Sequence, residues 1–112
     1  MEDTLERVRA GDDDPHCLDC GGMLKSATIS FGENLVVADL DRAMEAAARA
    51  DLFLAVGTSL VVHPVARMPE LALHNGAALV ILTDGDTPFD HSASVVVGER
   101  LEDVLPLIVD AV

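Results

Sequence analysis

The sequence predicts an α/β fold in which about three parallel strands form a small doubly wound sheet with flanking helices. Half of the 112 residues are hydrophobic, enough for one domain with its own core. Short apolar runs of strand length occur at 52–56, 77–82 and 94–97, and segments of helical periodicity precede, separate or follow them. Because strands that alternate with helices are joined by right-handed crossovers, this order predicts parallel strands.

The helices are predicted from the spacing of apolar residues. In 39–50, 65–75 and 101–112, apolar side chains recur every three or four residues. Pro64 suits the first turn of the second helix, where the missing backbone donor would be unused. Asn75 and the glycine after it supply a stop for that helix. The predicted order is helix, strand, helix, strand, strand, helix.

The first predicted strand, Leu52–Val56, ends abruptly in Gly57, Thr58 and Ser59. Glycine lets the backbone turn tightly or approach a ligand, and the two hydroxyls and free backbone donors suit an anion. In open α/β sheets, ligands bind at the carboxyl ends of the strands. From the residues alone, this segment is either a ligand loop or a simple turn between a strand and a helix.

The charge of the chain excludes several kinds of partner. The formal net charge is -13, the single lysine is Lys25, and aromatic residues make up 3% of the sequence. This composition disfavours binding to nucleic acid or to an anionic membrane. The acidity serves solubility or attracts a cationic partner such as a lysine-rich peptide. No basic region followed by an apolar one begins the sequence, so we expect a cytoplasmic protein.

The segment before the predicted sheet divides into two parts. Residues 1–16 are predicted to be a poorly anchored lead-in, because the run of aspartates ends any helix early. Cys17 and Cys20 then form a Cys-x-x-Cys pair followed by two glycines, a pattern typical of a zinc knuckle. A structural zinc site needs four ligands, and none of the histidines has a spacing that completes one locally: His16, His63, His74 and His91. Three alternatives therefore remain open for the pair: it binds zinc, it undergoes redox chemistry, or it does neither.

A weak alternation of polar and apolar residues predicts a further strand at 25–33, which stops at Gly32. The alternative to a binding role for residues 28–33 is a simple edge strand. Three parallel strands leave a sheet edge open unless other strands cover it, so we expect self-association or a complementing chain at that edge.

The segment from about Asp14 to Pro106 resembles the C-terminal half of the sirtuins, the NAD-dependent protein lysine deacylases. Several motifs stand in the order of the family, which makes the ordered set far more specific than any one of them. They are Cys17-x-x-Cys20-Gly21-Gly22, Ile29-Ser30-Phe31-Gly32-Glu33, Ala50-Asp51-Leu52 through Gly57-Thr58-Ser59-Leu60, Val62-x-Pro64, Gly76-Ala77 before Leu79-Val80-Ile81, and Thr87-Pro88 before Asp90.

The resemblance implies a site for NAD. Residues 34–112 would form the C-terminal half of a Rossmann-like NAD-binding domain. Gly57, Thr58 and Ser59 would contact the phosphates and ribose of NAD. Thr83 stands where sirtuins usually carry an asparagine that holds the adenosine ribose, and its hydroxyl would replace part of that contact.

The resemblance also implies a peptide site and a metal site within 17–33. Three residues, Phe31, Gly32 and Glu33, would lie on the loop beside which sirtuins bind an acyl-lysine peptide as an added strand. Cys17 and Cys20 match the second pair of the four zinc ligands of the family. This segment would therefore comprise half of a zinc-ribbon knuckle and the strand of the peptide loop.

Other sirtuin motifs have no counterpart before Asp14: the glycine-rich loop, the catalytic histidine and the first cysteine pair. We therefore expect a partial, truncated NAD-dependent deacylase, a transferase of the acyl group from lysine to ADP-ribose, that is inactive alone and in which no residue is assigned a catalytic role. Two alternatives stay open. One is an enzyme completed in trans by another chain, and the other is a non-catalytic binding or assembly module that retains the fold without using NAD or zinc.

Overall fold

The computed structural model describes residues 2–111, which divide into two compact units, the first ending at Asn34 and the second beginning at Leu35. In chain order, the elements are α1 (Glu2–Arg9), α2 (Val37–Arg49), β1 (Leu52–Val56), α3 (Arg67–His74), β2 (Ala78–Leu82), a 3₁₀ turn (Asp90–Ser92), β3 (Val95–Val97) and α4 (Leu101–Asp110). No helix in this part of the chain has the length and apolar character needed to cross a membrane.

The second unit contains a three-stranded sheet in the order β1-β2-β3, and both strand pairs are parallel. Leu54 pairs with Val80, and Val80 pairs with Val95, so the three strands are aligned across the sheet. The predicted α/β fold with three parallel strands and flanking helices is therefore confirmed. Parallel pairing follows from the connections, because α3 returns the chain to the amino end of the sheet between β1 and β2.

One face of the sheet forms the core of the unit. Leu79 and Ile81 of β2 are fully buried, and Ala55 of β1 beside them is 4% exposed. Leu60 completes this cluster, and several partly buried side chains pack against it: Phe53, Leu73, Phe89 and Ala93. Because Leu73 belongs to α3, this helix covers the face, which we call the covered face. Helix α2 packs in turn against α3.

Helix α3 begins at Arg67, two residues later than predicted, after a turn over 63–66. Pro69 lies in its first turn, where the absent backbone donor costs no helical hydrogen bond, and its ring is fully buried. The helix ends at His74, where Asn75 closes the last turn through its side-chain amide, which donates to the Leu71 carbonyl at 2.8 Å. Asn75 thus ends the helix as its chemistry predicts, whereas Pro64, which is predicted in the first turn, lies in the turn before the helix.

The opposite face of the sheet is apolar and largely exposed, and we call it the open face. The β1 side chains Leu52, Leu54 and Val56 on this face are 57%, 48% and 37% exposed, and Val95 of β3 is 49% exposed. Since strand residues alternate between the two faces, exposure of every second residue of β1 means that no helix packs over that strand on this side. The cover on this side is partial rather than absent, because Leu82 at the end of β2, which pairs with Val56, is fully buried.

The first unit consists of α1 and irregular segments. The Arg7 side chain links α1 to the irregular segment that follows. Its guanidinium donates to the Asp12 carboxylate at 2.7 Å and to the His16 carbonyl at 2.9 Å. The strand predicted at 25–33 is not formed, because this segment has irregular backbone and a turn at its end. Weak alternation predicts a strand only where a partner strand supplies hydrogen bonds, and the isolated bridge found within residues 2–34 joins His16 to Met23.

Candidate functional site

The carboxyl edge of the sheet is assembled from the residues that directly follow the strands. Gly57 follows β1, Thr83 follows β2 and Gly98 follows β3. The Gly57 amide donates to the Leu82 carbonyl at 2.8 Å, and the Thr83 amide donates to the Val97 carbonyl at 3.0 Å. These bonds extend the ladder by one residue and hold the three strand ends at one edge.

The loop after β1 has a backbone conformation that favours glycine at its first position. Gly57 has φ +61°, and a Cβ placed on it would lie 3.1 Å from Cδ1 of Leu101. Leu60 also has a positive φ, of 55°, and its amide donates to the Thr58 hydroxyl at 3.3 Å. The loop is thus held in an uncommon conformation by Thr58 and by burial of Leu60, which is 8% exposed.

A cavity of about 370 Å³ lies at this edge, and two of the predicted NAD-binding residues, Gly57 and Thr83, line it. The other two, Thr58 and Ser59, follow on the exposed part of the loop and are not among its lining residues. Thr83 is 9% exposed, and residues 2–111 contain no fully buried side-chain nitrogen or oxygen without a hydrogen-bond partner. A threonine in the wall of a cavity offers a hydroxyl that can donate a hydrogen bond to a ligand or accept one from it.

Sequence reasoning missed the charged residues of this cavity. Asp84 lies in the loop after β2, Glu99 and Arg100 lie between β3 and α4, and Glu102 lies in the first turn of α4. The guanidinium of Arg100 is paired with the carboxylate of Glu102. The rule that ligands bind at the carboxyl ends of parallel strands would have found these residues, had it been applied to all three strands rather than to β1 alone.

The loop after β2 is stiffened by a local pair. The Thr87 hydroxyl and amide donate to the Asp90 carboxylate at 2.5 and 3.1 Å. These bonds lower the pKa of Asp90 below its ordinary value, because they stabilise the ionised carboxylate. The bond from the Thr87 hydroxyl makes the larger contribution. Phe89, within this turn, packs against the core cluster on the covered face. The Thr87-Pro88 motif thus anchors the loop that begins at the cavity.

A second cavity, of about 410 Å³, lies between α2 and α3 and is lined in part by Met44, Arg67 and His74. It has neither strand ends nor a glycine loop, which are the features that place ligands in open α/β sheets. We therefore take the carboxyl edge of the sheet as the candidate site.

The predicted metal ligands Cys17 and Cys20 lie on a tight turn in the first unit. The Gly21 amide donates to the Cys17 carbonyl at 2.9 Å, and Gly21 has φ +70°. Backbone N–H groups of Cys20 and Asp19 hydrogen-bond the Cys17 sulfur, which lowers the pKa of that thiol. A turn that directs amides toward sulfur suits a metal-bound thiolate.

The thiol pair does not form a complete metal centre within residues 2–111, where no group of three or more histidine, cysteine or acidic side chains is arranged to hold a metal. Nδ1 of the neighbouring His16 lies 3.0 Å from the Gly21 carbonyl, so its ring is engaged within the turn. The chain brings together two thiols of the four ligands that a structural zinc site needs.

The predicted peptide-binding residues lie at the end of the first unit. Phe31 is 93% exposed, and Gly32 has φ +90° in the turn beside it. The Glu33 carboxylate accepts hydrogen bonds from Lys25 Nζ at 2.7 Å and from the Ser30 amide at 2.9 Å. Both contacts lower the pKa of Glu33, and the one with Lys25 makes the larger contribution. The glutamate closes the turn, and the aromatic ring is left unpacked.

Comparison with known proteins identifies the family. The family model described as "SIR2: Sir2 family" matches residues 1–64, more than half of the chain. The chain is 44% identical over 108 residues to NAD-dependent protein deacetylase 2 of Streptomyces coelicolor, which covers 96% of this chain and 45% of that protein. It is 40% identical over 107 residues to NAD-dependent protein deacetylase of Sulfolobus acidocaldarius. This match covers 96% of this chain and 41% of that protein. The chain therefore spans less than half the length of these relatives.

Solved structures agree with this assignment. The chain is similar to the structure "Sir2-p53 peptide-NAD+" with a TM-score of 0.72 and 32% identity, over 98% of this chain and 45% of that one. It is similar to "Structure of Sir2Tm bound to a propionylated peptide" with the same TM-score and identity, over 98% and 46%. The three-stranded sheet is thus part of the Rossmann-like fold of these proteins, and the chain belongs to the Sir2 family, the sirtuins.

Proposed function

We propose that this chain carries part of the NAD site and part of the acyl-peptide site of an NAD-dependent protein lysine deacylase, and that the 112-residue polypeptide is inactive by itself. The observation that carries the proposal is the loop after β1, whose positive-φ glycine lines the same cavity as Thr83. The two named relatives are NAD-dependent deacetylases, which supports the choice of nucleotide.

The residues at the sheet edge fit the adenosine and phosphate part of NAD. Gly57 has no side chain that could obstruct the approach of a ligand to the backbone of this loop. Backbone amides and the Thr58 and Ser59 hydroxyls of the same loop are suited to phosphate oxygens and ribose. Thr83 would bind the adenosine ribose. When bound, NAD supplies the ADP-ribosyl group that accepts the acyl group.

We further propose that Phe31, Gly32 and Glu33 contact the substrate peptide. An exposed aromatic beside a turn offers an apolar surface to an extended peptide, and the pairing of Glu33 with Lys25 keeps the turn in shape. The relatives bound to p53 and propionylated peptides support a peptide substrate. Cys17 and Cys20 would hold zinc only together with two ligands from elsewhere, and no step of the reaction is assigned to that metal.

Inactivity of the polypeptide by itself follows from the absence of an assigned general base, which contributes roughly 10²- to 10⁴-fold to such reactions. Calorimetric titration of the purified chain with NAD and ADP-ribose, beside a deacylation assay on an acetyl-lysine peptide, tests both halves of the proposal. We expect nucleotide binding without turnover. Robust turnover would contradict inactivity, and no binding at millimolar nucleotide would instead favour the assembly module that retains the fold alone.

A second candidate function is an enzyme completed in trans, and the open face favours it. An apolar sheet face with side chains up to 57% exposed, next to the unpaired edge of β1, is suited to a complementing polypeptide. Mixing the chain with the N-terminal part of the Streptomyces coelicolor relative should give a stable complex that gains deacylase activity. The variant Leu54→Lys should weaken the complex, whereas Val37→Lys, at the start of α2, should not. A chain that stays monomeric in the mixture would exclude this candidate.

A further inference from the structure

We propose that Cys17 and Cys20 are half of a zinc site that two copies of this chain complete together, so that one Zn²⁺ holds the copies in a dimer. The inference rests on the part of the proposed function that gives these thiols to zinc, and not on the nucleotide site. Four thiolates are a common ligand set of structural zinc. A tetrahedral site has two-fold axes, so two identical thiol pairs can meet symmetrically across the metal.

The two thiols lie in the turn of a short hairpin that holds them together. His16 and Met23 form an antiparallel bridge, and inside it the Cys17 amide donates to the Gly22 carbonyl at 2.8 Å. The Cys20 thiol hydrogen-bonds the Cys17 thiol, so the two sulfurs lie side by side. A pair arranged in this way can bind one metal ion through both sulfurs without rearrangement of the turn.

The chain does not complete this site by itself. Among residues 2–111, no three histidine, cysteine or acidic side chains are arranged to hold a metal, and the 112-residue polypeptide contains two cysteines. Both ring nitrogens of His16 are engaged, since Nδ1 lies 3.0 Å from the Gly21 carbonyl and Nε2 lies 3.4 Å from the Asp14 carboxylate. A second copy supplies the missing thiol pair in the same arrangement.

The surroundings of the thiol pair are open to a second copy. Cys20 is exposed, and the neighbouring apolar side chains of Leu18 and Met23 are 81% and 83% exposed. Contact between two copies at this turn would remove these side chains from water, which favours association. An apolar shell around the metal would also limit the access of water to it.

The charge of the chain makes this dimer dependent on the metal. The formal net charge is -13, so two copies repel each other. Coordination of zinc by thiols from both copies would offset this repulsion. We therefore expect a monomer without zinc, and a zinc-bound dimer that becomes tighter as added salt screens the charges.

Zinc titration of the reduced 112-residue chain, followed by analytical ultracentrifugation, tests the inference. We expect the mass to double with one zinc ion bound per two chains, and a chelator to restore the monomer. Co²⁺ in place of zinc should give the absorption spectrum of a tetrahedral four-thiolate site. Any other ratio of zinc to chain, no zinc binding, or a dimer that survives the chelator would overturn the inference. Titration of the same sample with NAD tests the nucleotide site separately.

Variants separate the metal ligands from the surface around them. Cys20→Ser should abolish zinc-dependent association. Leu18→Asp keeps both ligands and should weaken the zinc-bound dimer by about tenfold, because it places like charges where the copies meet. Leu107→Asp, at a side chain of α4 that is 70% exposed, is the matched control and should leave the dimer unchanged. Equal dimer affinity in Leu18→Asp and the control would overturn the inference.

Discussion

The two faces of the sheet are built from similar residues but have different surroundings. On the covered face, Leu79 and Ile81 are fully buried beneath α3 and the loop around Phe89. On the open face, Leu54 and Val95 are about half exposed, although both strands are as apolar as a strand buried on two sides would be. Hydrophobicity therefore identifies a strand that can be buried, whereas the packing partners decide which of its side chains are buried.

The largest expected effect is on the covered face. Leu79→Ala should lower the free energy of unfolding by about 2–5 kcal/mol, because it removes buried methyl groups and leaves a cavity. Leu54→Ala, the matched change on the open face, should cost less than about 1 kcal/mol. Urea denaturation followed by circular dichroism measures both. Equal costs for the two variants would show that the open face is covered in solution.

The carboxyl edge, where both faces end, should be sensitive to its glycine. Gly57→Ala should lower the free energy of unfolding by about 1–2 kcal/mol, since alanine is unfavourable at φ +61°. The variant should also weaken NAD binding. The control is Gly85→Ala in the next loop, where a Cβ would meet nothing within 4 Å. If both variants unfold alike, the loop after β1 tolerates side chains and its role is not steric.

The open face should affect association more than stability. Leu54→Lys places a charge on an exposed apolar surface, so we expect a change in the free energy of unfolding of less than about 0.5 kcal/mol. Binding of a hydrophobic dye and any concentration-dependent association should decrease in the variant. Analytical ultracentrifugation at several concentrations checks this. Val37→Lys serves as the control on α2, and an equal decrease there would point to a general effect of charge.

The smallest effect concerns pH and the loop that closes the covered face. The pKa of Asp90 is lowered in the folded chain, so its stabilising contribution is present above the pKa of the unfolded chain and is lost as the pH falls below about 4. Thr87→Val removes the hydroxyl donor and should reduce this loss. The measurement is the urea midpoint at pH 7 and pH 3. The wild-type chain should lose more between the two values than Thr87→Val does.

Much of the second unit could be predicted from local patterns. The strand Leu52–Val56 has the bounds that its apolar run predicts, and α2 is offset from its predicted bounds by one or two residues. Glycine after β1 and asparagine after α3 mark boundaries through their own backbone chemistry. Residues 25–33 failed as a strand because strand pairing depends on a partner elsewhere, which weak alternation does not specify.

The candidate site could be predicted only in part. The pattern after β1 identified Gly57. The rule for parallel strands places Asp84, Glu99 and Arg100 at the same edge, but only the structure shows that they line one cavity with Gly57. The zinc knuckle is the opposite case. Cys17 and Cys20 are close in sequence, so their turn is local and predictable, whereas a complete metal centre depends on ligands that a local pattern does not supply.

By itself, the sequence determined the parallel α/β class, the glycine loop and the sirtuin motifs, because periodicity, turn chemistry and motif order are local properties. The tertiary structure decided which face of the sheet is buried and that Gly57, Thr83 and Arg100 line one cavity. These features depend on residues far apart in the chain, whose meeting is set by strand register and helix packing rather than by their neighbours in sequence.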